Sequence, residues 1–157
     1  MRILVVSDTH RDIYALRSAV LSQPEADTVI HLGDGAEEAA QIKSEFSQKI
    51  FLQVRGNCDW NSDLPAEGLE TVGGKKIFYT HGYTYNVKYD ISSAVSAARA
   101  AKADILLFGH THNPVTMYEN GLYIMNPGSL RGSAGTYGVI DITKAGIVMN
   151  ILTLPSK

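Results

Sequence analysis

Five short apolar runs recur along the chain, and each is followed by a polar cluster that contains an aspartate, an asparagine or a histidine. Short runs rich in Ile, Val, Leu and Phe are typical of buried β-strands. The polar residues that follow these runs are separated by 26, 23, 24 and 29 positions: Asp8, Asp34, Asn57, His81 and His110. Because ligands of open α/β sheets bind beyond the carboxyl ends of strands, this pattern predicts one shared site at a sheet edge.

Segments with helical spacing separate several of these runs. Asp12 is a candidate N-cap for a helix that ends before Pro24. Weaker apolar stripes at helical spacing lie in residues 36–46 and 91–101. The early order of strand, helix, strand, helix and strand predicts crossover connections and a largely parallel sheet.

The last third of the chain has a different pattern. Strand-like runs at residues 122–125, 138–142 and 147–154 are separated by Gly, Pro, Asn and Ser, which predicts hairpins and antiparallel pairing. Residues 65–74 have the composition of a long surface loop. Together with the early part, these runs predict a layered α/β domain.

The length of 157 residues predicts a single domain spanning residues 1–157. Apolar residues make up 45% of the chain, charged residues 19%, and the net charge is -2, which excludes a disordered chain and a basic surface for long nucleic acids. The single cysteine excludes an internal disulfide framework. The first residues become polar too soon for a signal peptide or membrane helix, so we expect a cytoplasmic protein without a membrane partner.

Two of the polar clusters contain a second donor two residues from the first, and in extended backbone such pairs share one face. The seven candidate metal ligands are Asp8, His10, Asp34, Asn57, His81, His110 and His112. Seven donors exceed what one four-coordinate cation uses, so the sequence predicts two divalent metal ions. Oxygen and nitrogen donors without a thiolate suit Mn²⁺, Fe²⁺, Zn²⁺, Co²⁺ or Ni²⁺ better than Ca²⁺ or an iron–sulfur cluster.

The order and spacing of these motifs resemble those of the calcineurin-like metallophosphoesterases. The motifs are Asp8-Thr9-His10, Gly33-Asp34, Gly56-Asn57-Cys58-Asp59, Thr80-His81-Gly82 and Gly109-His110-Thr111-His112. The short length and the Asn126-Pro127-Gly128-Ser129 stretch look most like the small, single-domain YfcE-type phosphodiesterases. The resemblance implies a four-layer αββα sandwich with the metal site at the C-terminal edge of the strands.

The resemblance also implies a division of the donors between two metals. One metal would take Asp8, His10 and His112, the other would take Asn57, His81 and His110, and Asp34 would bridge them. A water bridging the two metals would attack phosphorus as hydroxide and hydrolyse phosphodiesters, and phosphomonoesters as a second substrate class. Asp34, Asn57 and His81 are then the catalytic residues, and Mn²⁺ is the first expectation for the metal.

Cys58 departs from the pattern of the wider family, in which a histidine often follows the motif asparagine. A thiol is a weak hydrogen-bond donor and does not replace imidazole as an acid, so we expect a preference for leaving groups that depart readily as anions. Cys58, Arg11 and Arg55 are the candidate substrate-binding residues. Asp59 either orients a metal ligand or caps a turn or helix, and both interpretations stay open.

Aromatic and polar residues elsewhere have two interpretations each. The candidates for a substrate rim, which pack into cores equally often, are Trp60, Tyr83, Tyr85 and Tyr89. Asn126 and Ser129 are either polar groups near the cleft or parts of an ordinary turn. His31 lies inside an apolar run and is interpreted as a core or interface residue.

Two functions of different classes compete. The first is hydrolysis of a small phosphoester, and a nuclease with a long polynucleotide track is disfavoured because no basic stripe is present. The second is a non-catalytic interaction scaffold, since a eukaryotic retromer subunit shares this architecture with part of its metal set lost. The resemblance also implies a homodimer or a larger homo-oligomer.

Overall fold

The computed structural model describes residues 1–155, and within that range the chain forms ten β-strands, three α-helices and one 3-10 turn. The helices are α1 (Ile13–Ser22), α2 (Ala36–Glu45) and α3 (Ser92–Ala100), and the 3-10 turn is Tyr83–Tyr85. The strands are β1 (Arg2–Val6), β2 (Thr28–His31), β3 (Ile50–Gln53), β4 (Glu67–Val72), β5 (Lys75–Thr80), β6 (Ile105–Leu107), β7 (Val115–Glu119), β8 (Leu122–Asn126), β9 (Thr136–Thr143) and β10 (Gly146–Thr153).

The strands form two five-stranded sheets, ordered β10-β9-β1-β2-β3 and β4-β5-β6-β8-β7. Parallel pairing joins β1, β2 and β3 in the first sheet and β5, β6 and β8 in the second. The other strands pair antiparallel at the edges. The parallel pairing predicted for the early strands is confirmed for β1, β2 and β3, and the antiparallel pairing predicted for the last third is confirmed for β9 and β10. Antiparallel strands extend each parallel group, so both sheets are mixed.

The alternation of side chains along β1 explains why the sheets stack. Leu4 and Val6 face a core with α1 and α2, whereas Ile3 and Val5 face a second core between the two sheets. Successive strand residues point to opposite faces, so a strand apolar on both faces needs a cover on each. A third core lies between α3 and the second sheet. The layers are thus helices, sheet, sheet and helix, and the predicted αββα sandwich is confirmed.

Residues 65–74 are not the predicted surface loop, because Glu67–Val72 forms β4 and pairs with β5. Most of β4 is exposed, so its composition resembles a loop. The connection to β5 is Gly73-Gly74, with φ of +58° and +79°. Two consecutive glycines with positive φ fit a two-residue hairpin turn, and this pair is the signal that identifies the strand.

The helix limits follow from local chemistry. Asp12 Oδ1 accepts a hydrogen bond from the Ala15 backbone N–H at 3.0 Å, which confirms the predicted cap of α1. That helix ends before Pro24, as predicted. In the described part of the chain, no helix combines the length and apolar character needed to cross a membrane.

Candidate metal centre

The candidate ligands lie in the loops that follow β1, β2, β3, β5 and β6, at the carboxyl ends of parallel strands. Five of them have positive φ in a conformation that is rare for residues with a Cβ: Asp8, His10, Asp34, His110 and His112. The expectation that the two donor pairs lie in extended backbone is therefore wrong. They converge because the loops turn through the left-handed region, and strain of this kind concentrates at functional sites.

The first donor cluster consists of Asp8, His10 and His112. Nε2 of His112 lies 3.2 Å from Asp8 Oδ1 and 3.2 Å from His10 Nε2. His10 Nε2 is 3.7 Å from the same Asp8 oxygen. The other Asp8 oxygen accepts hydrogen bonds from Ser7 Oγ at 2.5 Å and the His110 backbone N–H at 3.0 Å. One carboxylate oxygen is thus fixed by the protein, and the other faces two imidazoles.

The second cluster consists of Asp34, Asn57, His81 and His110. Nε2 of His81 is 3.0 Å from Asn57 Oδ1, 3.2 Å from His110 Nδ1 and 3.3 Å from Asp34 Oδ2. Nδ1 of His81 lies 2.8 Å from the carbonyl oxygen of Leu32, which can only accept, so Nδ1 carries the hydrogen. In the neutral ring, Nε2 then presents a lone pair toward the Asn57 and Asp34 oxygens, and only the protonated ring can donate a hydrogen bond to Asp34.

Asp34 joins the two clusters. Its Oδ2 lies 3.3 Å from His81 Nε2 in the second cluster and 3.9 Å from His10 Nε2 in the first. Its Oδ1 accepts a hydrogen bond from the Cys58 backbone N–H at 2.8 Å. One oxygen is therefore anchored while the other faces both clusters, as a bridging carboxylate must.

The spacing of these donor atoms fits metal ions. Ligand atoms bound about 2.1 Å from a cation at tetrahedral or octahedral angles lie about 3.0–3.4 Å from one another. The imidazole pairs of both clusters are separated by 3.2 Å. Asp8 and Asp34 are buried, and among the described residues the cationic groups within 4.0 Å of their carboxylates are histidines alone. Buried charges of this kind are paired or coordinate metals.

The electrostatics of the second cluster also fit a metal ion. Burial alone would lower the pKa of His81, but Asp34 and Asp8 outweigh it and raise that pKa above its usual value. Burial raises the pKa of Asp34, and hydrogen bonds from His81 and Cys58 outweigh it, so the net pKa of this carboxyl is well below its usual range. The site thus favours positive charge beside a carboxylate whose ionised form is stabilised.

Asp59 holds the loops that carry two of the donors. Its carboxylate accepts hydrogen bonds from the backbone N–H groups of Asp34, Gly35, Ala36 and Gly56 at 2.8–3.0 Å. Gly35 and Ala36 begin α2, which has no side-chain cap of its own. The Asp59 carboxylate therefore caps the start of α2, as one interpretation predicted, and also holds the backbone of Asp34. Its role toward a metal ligand stays a prediction.

Other supporting residues escaped the sequence analysis or were left open by it. Glu38 is buried and accepts hydrogen bonds from Thr9 Oγ1 and the Arg11 backbone N–H at 2.5 and 2.7 Å. Nothing in the spacing of Glu38 indicates this role. Asn126 Nδ2 donates to the carbonyl oxygen of Gly109, and Ser129 Oγ donates to that of Asp8. Asn126 and Ser129 thus stabilise the ligand loops.

His31 is buried, in agreement with its core interpretation, and lies 3.1 Å from Thr9 Oγ1. Burial lowers the pKa of His31.

Two cavities adjoin the donor clusters. The larger, of about 610 Å³, is lined by His10, Arg11, Asp34, Cys58 and Trp60 among others. The smaller, of about 260 Å³, is lined by Arg55, Asn57, His81, Trp60 and Tyr83 among others. All three candidate substrate-binding residues therefore line a cavity, and their role stays a prediction.

The four aromatic residues predicted to line a substrate rim do not share one environment in the structure. Trp60 and Tyr83 are exposed and line cavities, whereas Tyr85 packs edge-on against Phe78. Tyr89 is exposed and is not among the residues lining either cavity.

Cys58 Sγ lies within 4.8 Å of ligand atoms of His10 and Asp34. Burial and, after it, the charge of Asp34 raise the pKa of the Cys58 thiol.

Two stacked mixed sheets flanked by helices, with paired donor clusters at their strand ends, define the metallophosphoesterase class of fold. Residues 1–145 match the calcineurin-like phosphoesterase superfamily domain, and the chain belongs to that family. The motif-based resemblance is thereby confirmed.

Among similar proteins, the probable metallophosphoesterase YsnB of Bacillus subtilis is 33% identical over 132 residues, covering 83% of this chain and 76% of YsnB. Phosphodiesterase YfcE of Escherichia coli is 25% identical over 169 residues, which cover 90% of this chain and 88% of YfcE. A solved structure of a predicted phosphoesterase from Streptococcus pneumoniae is 26% identical with a TM-score of 0.82, covering 97% of this chain and 88% of that one.

Similarity also extends to a protein that is not named as an enzyme. Vacuolar protein sorting-associated protein 29 of Schizosaccharomyces pombe is 40% identical over 92 residues, which cover 58% of this chain and 49% of that protein. The rival scaffold function is therefore a relevant alternative.

Proposed function

We propose that this protein is a phosphodiesterase that hydrolyses small phosphoesters with two divalent cations held by the donor clusters. The observation that carries the proposal is the position of Asp34 Oδ2, which faces His81 Nε2 at 3.3 Å and His10 Nε2 at 3.9 Å. A single carboxylate oxygen between two clusters is the arrangement that a pair of cations a few ångströms apart requires.

The ligand assignment follows the two clusters. Asp8, His10 and His112 would hold one cation, Asn57, His81 and His110 would hold the second, and Asp34 would bridge both. The chemistry that such a pair supplies is activation of a water for attack on phosphorus and neutralisation of charge on the phosphoryl oxygens. Mn²⁺ is the proposed metal, and Ni²⁺, Zn²⁺, Fe²⁺ and Co²⁺ suit the same donors.

The protein's own groups prepare the site before substrate enters. The Leu32 carbonyl fixes the tautomer of His81, and the Cys58 Sγ atom accepts a hydrogen bond from Asn57 Nδ2 at 3.6 Å, which turns Asn57 Oδ1 toward the cluster. Such orientation of ligands by surrounding groups strengthens metal binding. Arg11 and Arg55 line the two cavities, where either guanidinium can pair with a phosphate oxygen.

The scaffold alternative is less well supported than hydrolysis. The similarity to vacuolar protein sorting-associated protein 29 concerns about half of that protein and does not distinguish a scaffold from an enzyme. All seven donor residues of the motifs are present in this chain, and their ligand atoms face one another in two clusters. A scaffold has no need for seven convergent donors, five of which lie in strained backbone.

The test is hydrolysis of bis(p-nitrophenyl) phosphate together with the metal content of the purified protein. We expect two divalent cations per chain and turnover with Mn²⁺ that stops on chelation and returns with added metal. Asp34→Asn should lose turnover while its far-ultraviolet circular dichroism stays native. The control, Asp27→Asn, changes an exposed carboxylate at the amino end of β2 and should keep full activity. Absence of turnover with Mn²⁺, Ni²⁺ and Zn²⁺ would overturn the proposal.

A further inference from the structure

Trp60 is the chain's single tryptophan and lies on the surface beside the donor clusters. Tryptophan is among the most highly buried residues on average, yet 88% of Trp60 is exposed. Its indole Nε1 donates a hydrogen bond to the carbonyl oxygen of Asn57 at 2.7 Å. The ring is therefore held in an exposed position by the backbone of a candidate metal ligand.

Trp60 is among the residues that line both cavities. In the smaller cavity it is joined by Tyr83, which is 57% exposed and lies edge-on to His110 with a centroid distance of 5.6 Å. Two exposed aromatic residues thus line the same cavity as the candidate metal ligands Asn57 and His81. Its volume of about 260 Å³ is below the usual range for drug-sized ligands, which leaves room for one planar ring system.

Charge at the same cavity favours a phosphate ester over a neutral aromatic compound. Arg55 lines the cavity and is exposed, so its guanidinium is available to a phosphate oxygen. The cavity thus offers a cation for the phosphate beside two aromatic side chains for a ring.

We infer that Trp60 is a specificity-determining residue that stacks against a planar aromatic ester group, so that the substrates are aryl or nucleoside phosphoesters. This inference rests on the proposed function for the reaction but concerns recognition of the ring. Stacking of a base on an aromatic side chain contributes enough affinity for its loss to weaken binding by about fivefold or more. Because indole has the largest ring of the aromatic side chains, Trp60→Phe should retain part of the effect and Trp60→Ala none.

The first measurement is the fluorescence of Trp60 in protein loaded with Zn²⁺, which does not quench emission as paramagnetic Mn²⁺ does. Adenosine 5′-monophosphate and ribose 5-phosphate carry the same phosphate and sugar, and only the former carries a base. We expect saturable quenching by adenosine 5′-monophosphate and none by ribose 5-phosphate. Equal responses to the two compounds would overturn the inference.

The second measurement uses the same two compounds as inhibitors of bis(p-nitrophenyl) phosphate hydrolysis by the Mn²⁺ enzyme. Trp60→Ala should raise the inhibition constant of adenosine 5′-monophosphate about fivefold or more and leave that of ribose 5-phosphate unchanged. The matched control is Tyr89→Ala, which removes an exposed ring outside the cavity linings. Unchanged discrimination in Trp60→Ala would overturn the inference.

The two proposals fail in different ways. A protein that hydrolyses no phosphoester but shows base-dependent quenching contradicts the proposed function and supports ring recognition by Trp60. A protein that hydrolyses bis(p-nitrophenyl) phosphate but does not distinguish the two monophosphates supports the function and contradicts the role of Trp60.

Discussion

Asp59 accepts a hydrogen bond from the backbone N–H of Asp34 at 2.8 Å, although 25 residues separate them in sequence. The same carboxylate accepts from Gly35, Ala36 and Gly56. One side chain therefore accepts hydrogen bonds from the free backbone N–H groups at the start of α2. It also fixes the loop from which Asp34 reaches both donor clusters. Hydrogen bonds to an ionised carboxylate are among the stronger ones in proteins, so this contact sets the position of Asp34.

Asp59→Ala is expected to weaken metal binding without removing a metal ligand. It leaves four backbone N–H groups without their carboxylate and frees the backbone of Asp34. Loss of such supporting groups costs about 10- to 100-fold in metal affinity. Competition with a chromogenic chelator measures the affinity for Zn²⁺ or Mn²⁺. Asp63→Asn, at an exposed carboxylate nearby, is the control, and equal affinities in both variants would contradict the role of Asp59.

Gly56→Ala is expected to displace the Asp34 carboxylate, because the added Cβ would collide with it. A Cβ at Gly56 would lie 2.0 Å from Asp34 Oδ1 and 2.5 Å from the Asp34 backbone nitrogen. The control is Gly121→Ala, where the added Cβ meets nothing within 4 Å and the cost comes from a φ of +85°. We expect Gly121→Ala to lose about 1 kcal/mol of stability and keep its metals. Retention of two metals in Gly56→Ala would show that the Asp34 loop adapts.

Much of the fold could be predicted from the sequence, because short apolar runs and helix caps are local signals. The strand at Ile3 to Val6 and the helix capped by Asp12 are examples. Strand β4 was missed because its exposed residues give it a loop-like composition, although Gly73-Gly74 marks its hairpin. The order of strands within each sheet was not predicted, since it depends on contacts between segments that are distant in sequence.

The candidate site could be predicted only in part. The donors were identified because each follows an apolar run, and parallel strands bring their ends together. Their backbone conformation could not be predicted, since positive φ at Asp8 and His110 depends on hydrogen bonds between loops. The contact of Glu38 with Thr9 and Arg11 was likewise hidden, because a glutamate inside a helix has no distinguishing pattern.

Cys58→His is expected to broaden the range of leaving groups. An imidazole at this position can donate a proton to an alkoxide, and general acid catalysis contributes about 10²–10⁴-fold. Turnover of an alkyl phosphodiester should therefore rise relative to that of bis(p-nitrophenyl) phosphate. Cys58→Ser is the control and should keep the metal content, because the oxygen and nitrogen donors remain. An unchanged ratio of alkyl to aryl turnover in Cys58→His would contradict the prediction.

Asp141 gives a pH-dependent contribution to stability far from the metal site. Arg2 Nε and one terminal guanidinium nitrogen donate to its two oxygens at 2.9 and 3.2 Å, and this hydrogen bonding lowers the pKa of Asp141. Because the folded pKa lies below the unfolded one, the pair stabilises the fold above the ordinary carboxyl pKa. That stabilisation is lost as pH falls through the folded value.

Asp141→Asn should therefore lower stability near neutral pH by about 1 kcal/mol or less, since both side chains are partly exposed. The difference from the unaltered protein should vanish below the folded pKa of Asp141. Urea unfolding of both proteins at a series of acidic pH values measures this difference in stability. Glu25→Gln is the control, because Glu25 lies 3.8 Å from Arg2 and is largely exposed. A difference that persists undiminished in acid would show that the hydrogen bonds act independently of charge.

Metal removal is expected to destabilise the fold, because Asp8 and Asp34 are buried carboxylates surrounded by the histidines of the two clusters. Cations bind the folded chain, and at a free concentration about 100 times the dissociation constant they add about 2.7 kcal/mol of stability. The melting temperature should fall on chelation and recover with Mn²⁺. In Asp34→Asn, the response to Mn²⁺ should shrink, since the bridging charge is gone, whereas Asp27→Asn should respond as the unaltered protein does. A melting temperature indifferent to chelation and to added Mn²⁺ would contradict binding of metal at these clusters.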